Sequence, residues 1–260
     1  MAEGMSTEVR AGIVNLLYRM ADDALIIAHR NSEWTGLGPT LEEDIAFSSI
    51  AQDKLGHSLA LYSILHEEFD QQDPDAIAFG RKETDFTCCQ FVELPIGDYA
   101  FSLMRHLLFD LADQLRFEML ESSNLERLAQ VARKVKGEIK YHLFHGVTWV
   151  RKLAAEGNEE SKARMQSALN ESFPFALGIF EPVESEGPLT DAGIFAGEAA
   201  LQRRWIDAVT TLVEDAGLTM PLVEDETVAY GGRCGHHTEH LRPLLEEMTE
   251  VFRIDEDAAW

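Results

Sequence analysis

The chain has 260 residues, 45% of them hydrophobic, and carries 46 acidic against 22 basic residues for a formal net charge of −24. That length can bury a large core and suits a single domain, and so strong an acidity repels phosphate backbones and anionic lipid, which excludes nucleic acid and membrane surfaces as partners. No apolar run is long enough for a bilayer span, and the start MAEGMSTEVRAG lacks the basic-then-apolar order of an export signal, so a cytoplasmic location is expected.

Only seven of the basic residues are lysines. High acidity with few lysines fits a protein adapted to high salt, where self-repulsion is screened, and fits an ordinary acidic cytosolic protein equally well. Cys88, Cys89 and Cys234 form no C-x-x-C pair, and without an export signal they are expected to be reduced thiols.

The first helical period covers about residues 7 to 29, where Ile13, Leu16, Leu17, Met20, Ala24 and Ile27 recur at spacings of three and four. The segment GLGPT ends it. Thr40-Leu-Glu-Glu43 then reads as a capping box, in which the Thr40 hydroxyl and the Glu43 carboxylate satisfy each other's amides, and a second helix follows until Pro74 forbids continuation. Residues 75 to 97, punctuated by Gly80, Pro95 and Gly97, form a long connection with one short helix.

A third helix is predicted over about 98 to 122, and Ser123-Asn-Leu-Glu126 repeats the capping-box pattern ahead of a fourth that reaches Gly157. Further helices are predicted over about 158–172, 190–216 and 238–252, the last with Thr238 as its N-cap. Trp34, Trp149, Trp205 and Trp260 read as core or interface residues. With no strand-like alternation, the natural packing is an all-α four-helix bundle, about 7–157, with appended helices, about 158–252, in one domain spanning 1–260.

A helical bundle of this kind raises the question of a di-iron carboxylate site. Such a site needs a Glu from each of two helices and a Glu-x-x-His from each of the other two, all facing inward. The second helix offers Lys54-Leu-Gly-His57, with an ammonium at the carboxylate position; the fourth offers Ile139-Lys-Tyr-His142, with an aliphatic side chain there. Ala24 stands on the first helix where a ligand belongs, Glu138 lies one residue off the inner face, and of Asp110 and Asp113 on the third helix only Asp113 reads as well placed.

Two readings remain open on the residues alone. One is a metal held unconventionally by His57, Asp113, His142 and Glu138. The other is a closed site in which a buried Lys54 meets a carboxylate and the histidines are satisfied by hydrogen bonds; it is favoured, because an uncompensated buried ammonium costs several kcal/mol (about 3–5 when a partner is removed). His236 and His240, at i and i+4 with Cys234 and Glu239 beside them, suggest either a structural role or a zinc site.

Several stretches carry a family resemblance: Ser32-Glu-Trp34, Leu41-Glu-Glu-Asp44, Asp53-Lys-Leu-Gly56, Tyr141-His142 after Glu138, and above all Gly231-Gly-Arg-Cys-Gly-His-His-Thr-Glu-His-Leu-Arg-Pro-Leu-Leu-Glu-Glu-Met248. Over nearly its whole length the sequence resembles the C subunits of ring-1,2-phenylacetyl-CoA epoxidase, the PaaC family. The resemblance implies a ferritin-like fold and a structural, non-catalytic subunit of a multicomponent monooxygenase of phenylacetate catabolism. It implies a heteromer with a related catalytic A subunit that holds the di-iron centre and binds phenylacetyl-CoA, together with other epoxidase subunits and a reductase.

This chain is then expected to hold no cofactor and no catalytic or metal residues. Ala24, Lys54, His57, Asp113, Ile139 and His142 mark degenerate di-iron positions. The alternative function is an independent di-metal oxygenase or ferritin-like oxidase. For an interface, the last helix, the glycine-rich loop before it and the outward faces of the second and third helices are the first places to look.

Overall fold

In the computed structural model, residues 5–255 are described, so Trp260 lies outside the described residues. Helices α1 (Thr7–Ser32), α2 (Leu41–Phe69), α5 (Tyr99–Leu120) and α6 (Glu126–Ala154) form the bundle, and α3 (Pro74–Phe79) and α4 (Gln90–Glu93) lie in the connection from α2 to α5. Helices α7 (Glu159–Leu177), α8 (Glu186–Asp191), α9 (Glu198–Asp215) and α10 (Leu241–Met248) complete the chain. There is no strand among the described residues, and none of their helices is long and apolar enough to cross a membrane.

Local chemistry sets most of the helix starts. Ser6, Asp73, Asp98 and Asn158 each accept an amide hydrogen bond in the first turn of α1, α3, α5 and α7. α2 ends at Phe69, before Pro74 is reached, and Pro74 is instead the first residue of α3, a position where its missing N–H is no loss. Asp70 ends α2 in a left-handed conformation, φ 58°, and its carboxylate pairs with Arg10 of α1 at 2.7 Å.

α1 packs along α2 and α5 along α6, with α2 against α6 closing the bundle and α7 and α9 laid over α5. The buried apolar residues of these helices join in one cluster, from Ile13 and Leu16 through Leu107 and Leu108 to Trp205 and Leu245. Trp34 and Trp205 are buried with their indole N–H groups donating to Ser102 Oγ and the Leu108 carbonyl. Trp149 is half-buried, packed edge-on to Tyr99.

Four local expectations need correction. At α2 the Thr40 hydroxyl accepts from the Glu43 amide, but the Glu43 carboxylate turns inward to Tyr99 and His145 instead of back to the cap. At α6 the Ser123 hydroxyl accepts from the Leu125 amide, and Leu125, with no side-chain bond, is the capping residue. The helix predicted over 190–216 is broken: Gly193 and Gly197, at φ 68° and 92°, turn the chain between α8 and α9 in a conformation that glycine adopts without strain. Thr238 does not cap α10, which starts at Leu241; its hydroxyl donates to Glu93.

Candidate functional site: a buried lysine–carboxylate column

α5 is apolar over most of its surface, yet His106, Asp110, Asp113 and Arg116 recur on it at spacings of four, three and three and all point into the protein. Opposite them stands Lys54 of α2, fully buried, with Nζ 2.5 Å from Asp110 Oδ1 and 2.6 Å from Asp113 Oδ2. The same ammonium lies 4.8 Å from the centroid of the Phe109 ring.

From there the charges continue in alternation. Asp113 Oδ1 is 3.6 Å from Arg116 Nη1, Arg116 Nη2 donates to Glu198 Oε2 at 2.9 Å, and Arg19 of α1 reaches Glu198 Oε1 at 3.3 Å. Three cations and three carboxylates thus alternate to tie α1, α2, α5 and α9 together, each buried ion having a partner of opposite sign, the condition under which buried ions are tolerable.

Burial penalises the Lys54 ammonium, but the two carboxylates outweigh it and raise its pKa. The carboxylates are not equivalent. Burial opposes the ionisation of Asp110 too, but Lys54 and His106, whose Nδ1 is 2.6 Å away, hold its pKa well below the ordinary range. Asp113 has less opposing charge, and burial leaves its pKa raised.

The two histidines of the broken motifs are buried, and each meets a partly exposed carboxylate on the facing helix. His57 of α2 faces Glu138 of α6, Nε2 to Oε2 at 2.9 Å, and His142 of α6 faces Asp53 of α2 at 3.0 Å. These reciprocal pairs lace α2 to α6. Burial, with Lys54 close by, pushes the His57 pKa down to about 2, so its imidazole is neutral. Burial acts against the His142 cation as well, but Asp110 and Asp53 outweigh it and the pKa is raised.

Of the positions singled out in the sequence, Lys54 and Asp113 meet directly, His57 and Glu138 meet each other, Ile139 is a fully buried core residue, and Ala24 is buried on α1. Among the described residues, His57, Asp113, His142 and Glu138 do not converge on a common ligand position. Asp110, read as poorly placed, shares Lys54 with Asp113 and heads the column, with His106 on its other oxygen. Asp53, His106 and Glu198 were missed altogether. The signal for His106 was present: a polar side chain at the same three-and-four spacing as the core of an otherwise apolar helix.

The glycine-rich tail is internal. Arg233 is buried and grips Asp23 of α1 through both guanidinium nitrogens, at 2.9 and 2.8 Å. Gly232 lies against the backbone of Cys88, where an added Cβ would collide with the carbonyl oxygen. Its histidines do not act as the i, i+4 pair would suggest. The backbone carbonyls of His236 and His240 accept from Gln90 and Arg30, and the imidazole that turns inward is that of His237, onto Glu93 and the Phe86 carbonyl.

The outer surface differs in character. Along α2 the exposed positions Ile45, Ser49, Gln52, Leu55, Gly56 and Leu59 carry no charge, and on α6 Tyr141 and Phe144 are 74% and 72% exposed. On a chain of net charge −24 this is an unusual concentration of uncharged, partly apolar surface.

Bundle and column together define an all-helical, ferritin-like protein in which a lysine stands among inward carboxylates at the level of the broken Glu-x-x-His pairs. The family described as phenylacetic acid catabolic protein matches residues 1–260, and the chain belongs to that family. It is 31% identical over 242 residues, 93% of this chain and 96% of the relative, to the C subunit of 1,2-phenylacetyl-CoA epoxidase from Escherichia coli (strain K12).

Proposed function

We propose that this chain is a non-catalytic, cytoplasmic subunit of a phenylacetyl-CoA epoxidase, bracing and orienting a related catalytic A subunit that carries the di-iron centre. The observation that carries this reading is Lys54, whose ammonium lies between Asp110 and Asp113. Two metal dications need that space and those carboxylates, and an ammonium there repels them while using up the negative charge that would hold them. The residues present do not fit a di-iron centre. In the complex, iron in the partner, with dioxygen and electrons from a reductase, supplies the oxidising chemistry for epoxidation of the aromatic ring.

What this chain contributes is rigidity and a surface. The column fixes the relative positions of α1, α2, α5 and α9, and the reciprocal His–carboxylate pairs fix α2 against α6. The uncharged outer positions of α2 and the aromatic pair on α6 are the surface best suited to another subunit.

The test is iron content of the purified chain, alone and after co-expression with a candidate catalytic partner. Iron is expected only in the co-purifying complex. About two irons per isolated chain would overturn the reading in favour of an independent di-metal oxidase, with His57, Asp113 and His142 the first residues to mutate.

A further inference from the structure

Where the segment before α4 meets the C-terminal tail, Cys88, Glu93 and His237 bring a thiol, a carboxylate and an imidazole nitrogen together under cover. Cys88 Sγ is 3.7 Å from Glu93 Oε1 and 4.0 Å from His237 Nδ1, and those two atoms are 2.7 Å apart. Cys88 and Glu93 are fully buried, and the His237 side chain is 1% exposed.

The far atoms of the same groups are already anchored. His237 Nε2–H donates to the Phe86 carbonyl at 3.0 Å, which leaves Nδ1 as the atom that faces the thiol. Glu93 Oε2 accepts from both the amide and the hydroxyl of Thr238, each at 2.7 Å. Outer hydrogen bonds of this kind are what orient a ligating imidazole and carboxylate toward a metal.

We propose that Cys88, Glu93 and His237 form a binding site for one thiophilic divalent cation of the zinc class, with water at the fourth tetrahedral position. Zinc takes thiolate sulfur at about 2.3 Å and imidazole nitrogen and carboxylate oxygen at about 2.0–2.2 Å, which sets tetrahedral ligand-to-ligand separations of about 3.3–3.6 Å. Two of the three separations here already lie close to that range. The Nδ1 to Oε1 distance has to open by about 0.6 Å, as the proton between them gives way to the ion, and the Sγ to Nδ1 distance has to close by about 0.4 Å. Thiolate with imidazole favours zinc over the harder cations that an all-carboxylate site selects.

Charge balance supports the exchange. Without metal, burial pushes the Cys88 thiol pKa well up, which keeps the thiol protonated, and the 2.7 Å contact between His237 Nδ1 and Glu93 Oε1 holds one proton between imidazole and carboxylate. One dication enters, the Cys88 thiol proton and the His237 Nδ1 proton leave, and the site's net charge does not change. The neighbouring carboxylates Asp22 and Asp23 do not compete, since they are engaged by Arg81 and Arg233.

The experiment is titration of the chelator-stripped full chain with Co(II), then Zn(II), followed by absorbance and by proton release. One equivalent of Co(II) is expected to give a thiolate-to-cobalt charge-transfer band that zinc abolishes, with about two protons released per ion. The C89S/C234S chain, in which Cys88 is the sole thiol, is expected to keep the band, and C88S to lose it. Absence of the band in C89S/C234S, or its persistence in a folded C88S chain, overturns the site; if C88S does not fold, C89S/C234S decides alone. The column in the bundle contains no cysteine, so this signal is independent of the iron measurement.

Discussion

Lys54 Nζ and Asp110 Oδ1 lie 2.5 Å apart, on α2 and α5, with side chains 0% and 1% exposed. Removing the ammonium leaves Asp110 and Asp113 in the core without the cation they share, with only His106 and Arg116 beside them. Lys54→Met is expected to cost about 3–5 kcal/mol, read as a lower midpoint in urea unfolding. A loss below about 1 kcal/mol, the range of an exposed pair, would show that water reaches the column.

Acid should unfold the protein in part through His57. Its folded pKa of about 2 lies below the ordinary histidine value of 6.5, so below pH 6.5 the unfolded chain takes up a proton that the fold refuses. Stability is therefore lost as pH falls, by about 1.4 kcal/mol per pH unit for each such proton. His142 and His237, with raised values, act in the opposite sense: their contributions are fully present below pH 6.5 and are lost as pH rises through their folded pKa. His57→Gln is expected to flatten the acid limb between about pH 6 and pH 4 by about one proton, and an unchanged slope in that variant would refute the assignment.

Arg233→Ala leaves the Asp23 carboxyl buried with its bidentate partner gone. The expected loss is again about 3–5 kcal/mol, and the 231–245 segment should become the first site of proteolytic cleavage. Cleavage that still begins elsewhere, at wild-type rate, counts against the anchor.

The outer surface predicts the reverse pattern. L59D with F144D changes two exposed side chains and is expected to move stability by less than about 0.5 kcal/mol per site while abolishing co-purification with the iron-bearing subunit. Retention of the partner by the folded double variant would place the interface elsewhere.

With its net charge of −24, the chain is expected to melt at higher temperature as salt rises from low to molar concentration, because screening relieves repulsion among surface carboxylates and leaves the buried column untouched. A midpoint that stays flat or falls would remove high-salt adaptation from consideration.

The bundle was legible in the sequence because its long helices follow an unbroken three-and-four apolar period, and because Pro74 and the polar caps Asp98 and Asn158 mark real boundaries. The failures came where a side chain had a distant partner that local grammar does not contain. Glu43 left its capping role for Tyr99, and Thr238 left its own for Glu93. Gly193 and Gly197 were visible, but the apolar period runs through them, and only the left-handed backbone there decides the break. The Lys54–Asp113 contact could be anticipated because a buried ammonium demands a carboxylate; that Asp110 shares it depends on the depth at which α5 sits against α2, which no spacing encodes.

The grip of Arg233 on Asp23 spans almost the whole chain and bears on the order of synthesis. α1 is made first, carrying the adjacent acids Asp22 and Asp23, whose counter-ions Arg81 and Arg233 emerge much later. A nascent chain that already has all four bundle helices still lacks the cation for Asp23. Sealing that face early would strand a carboxylate in the core, so the bundle must stay open along α1 until the tail leaves the ribosome.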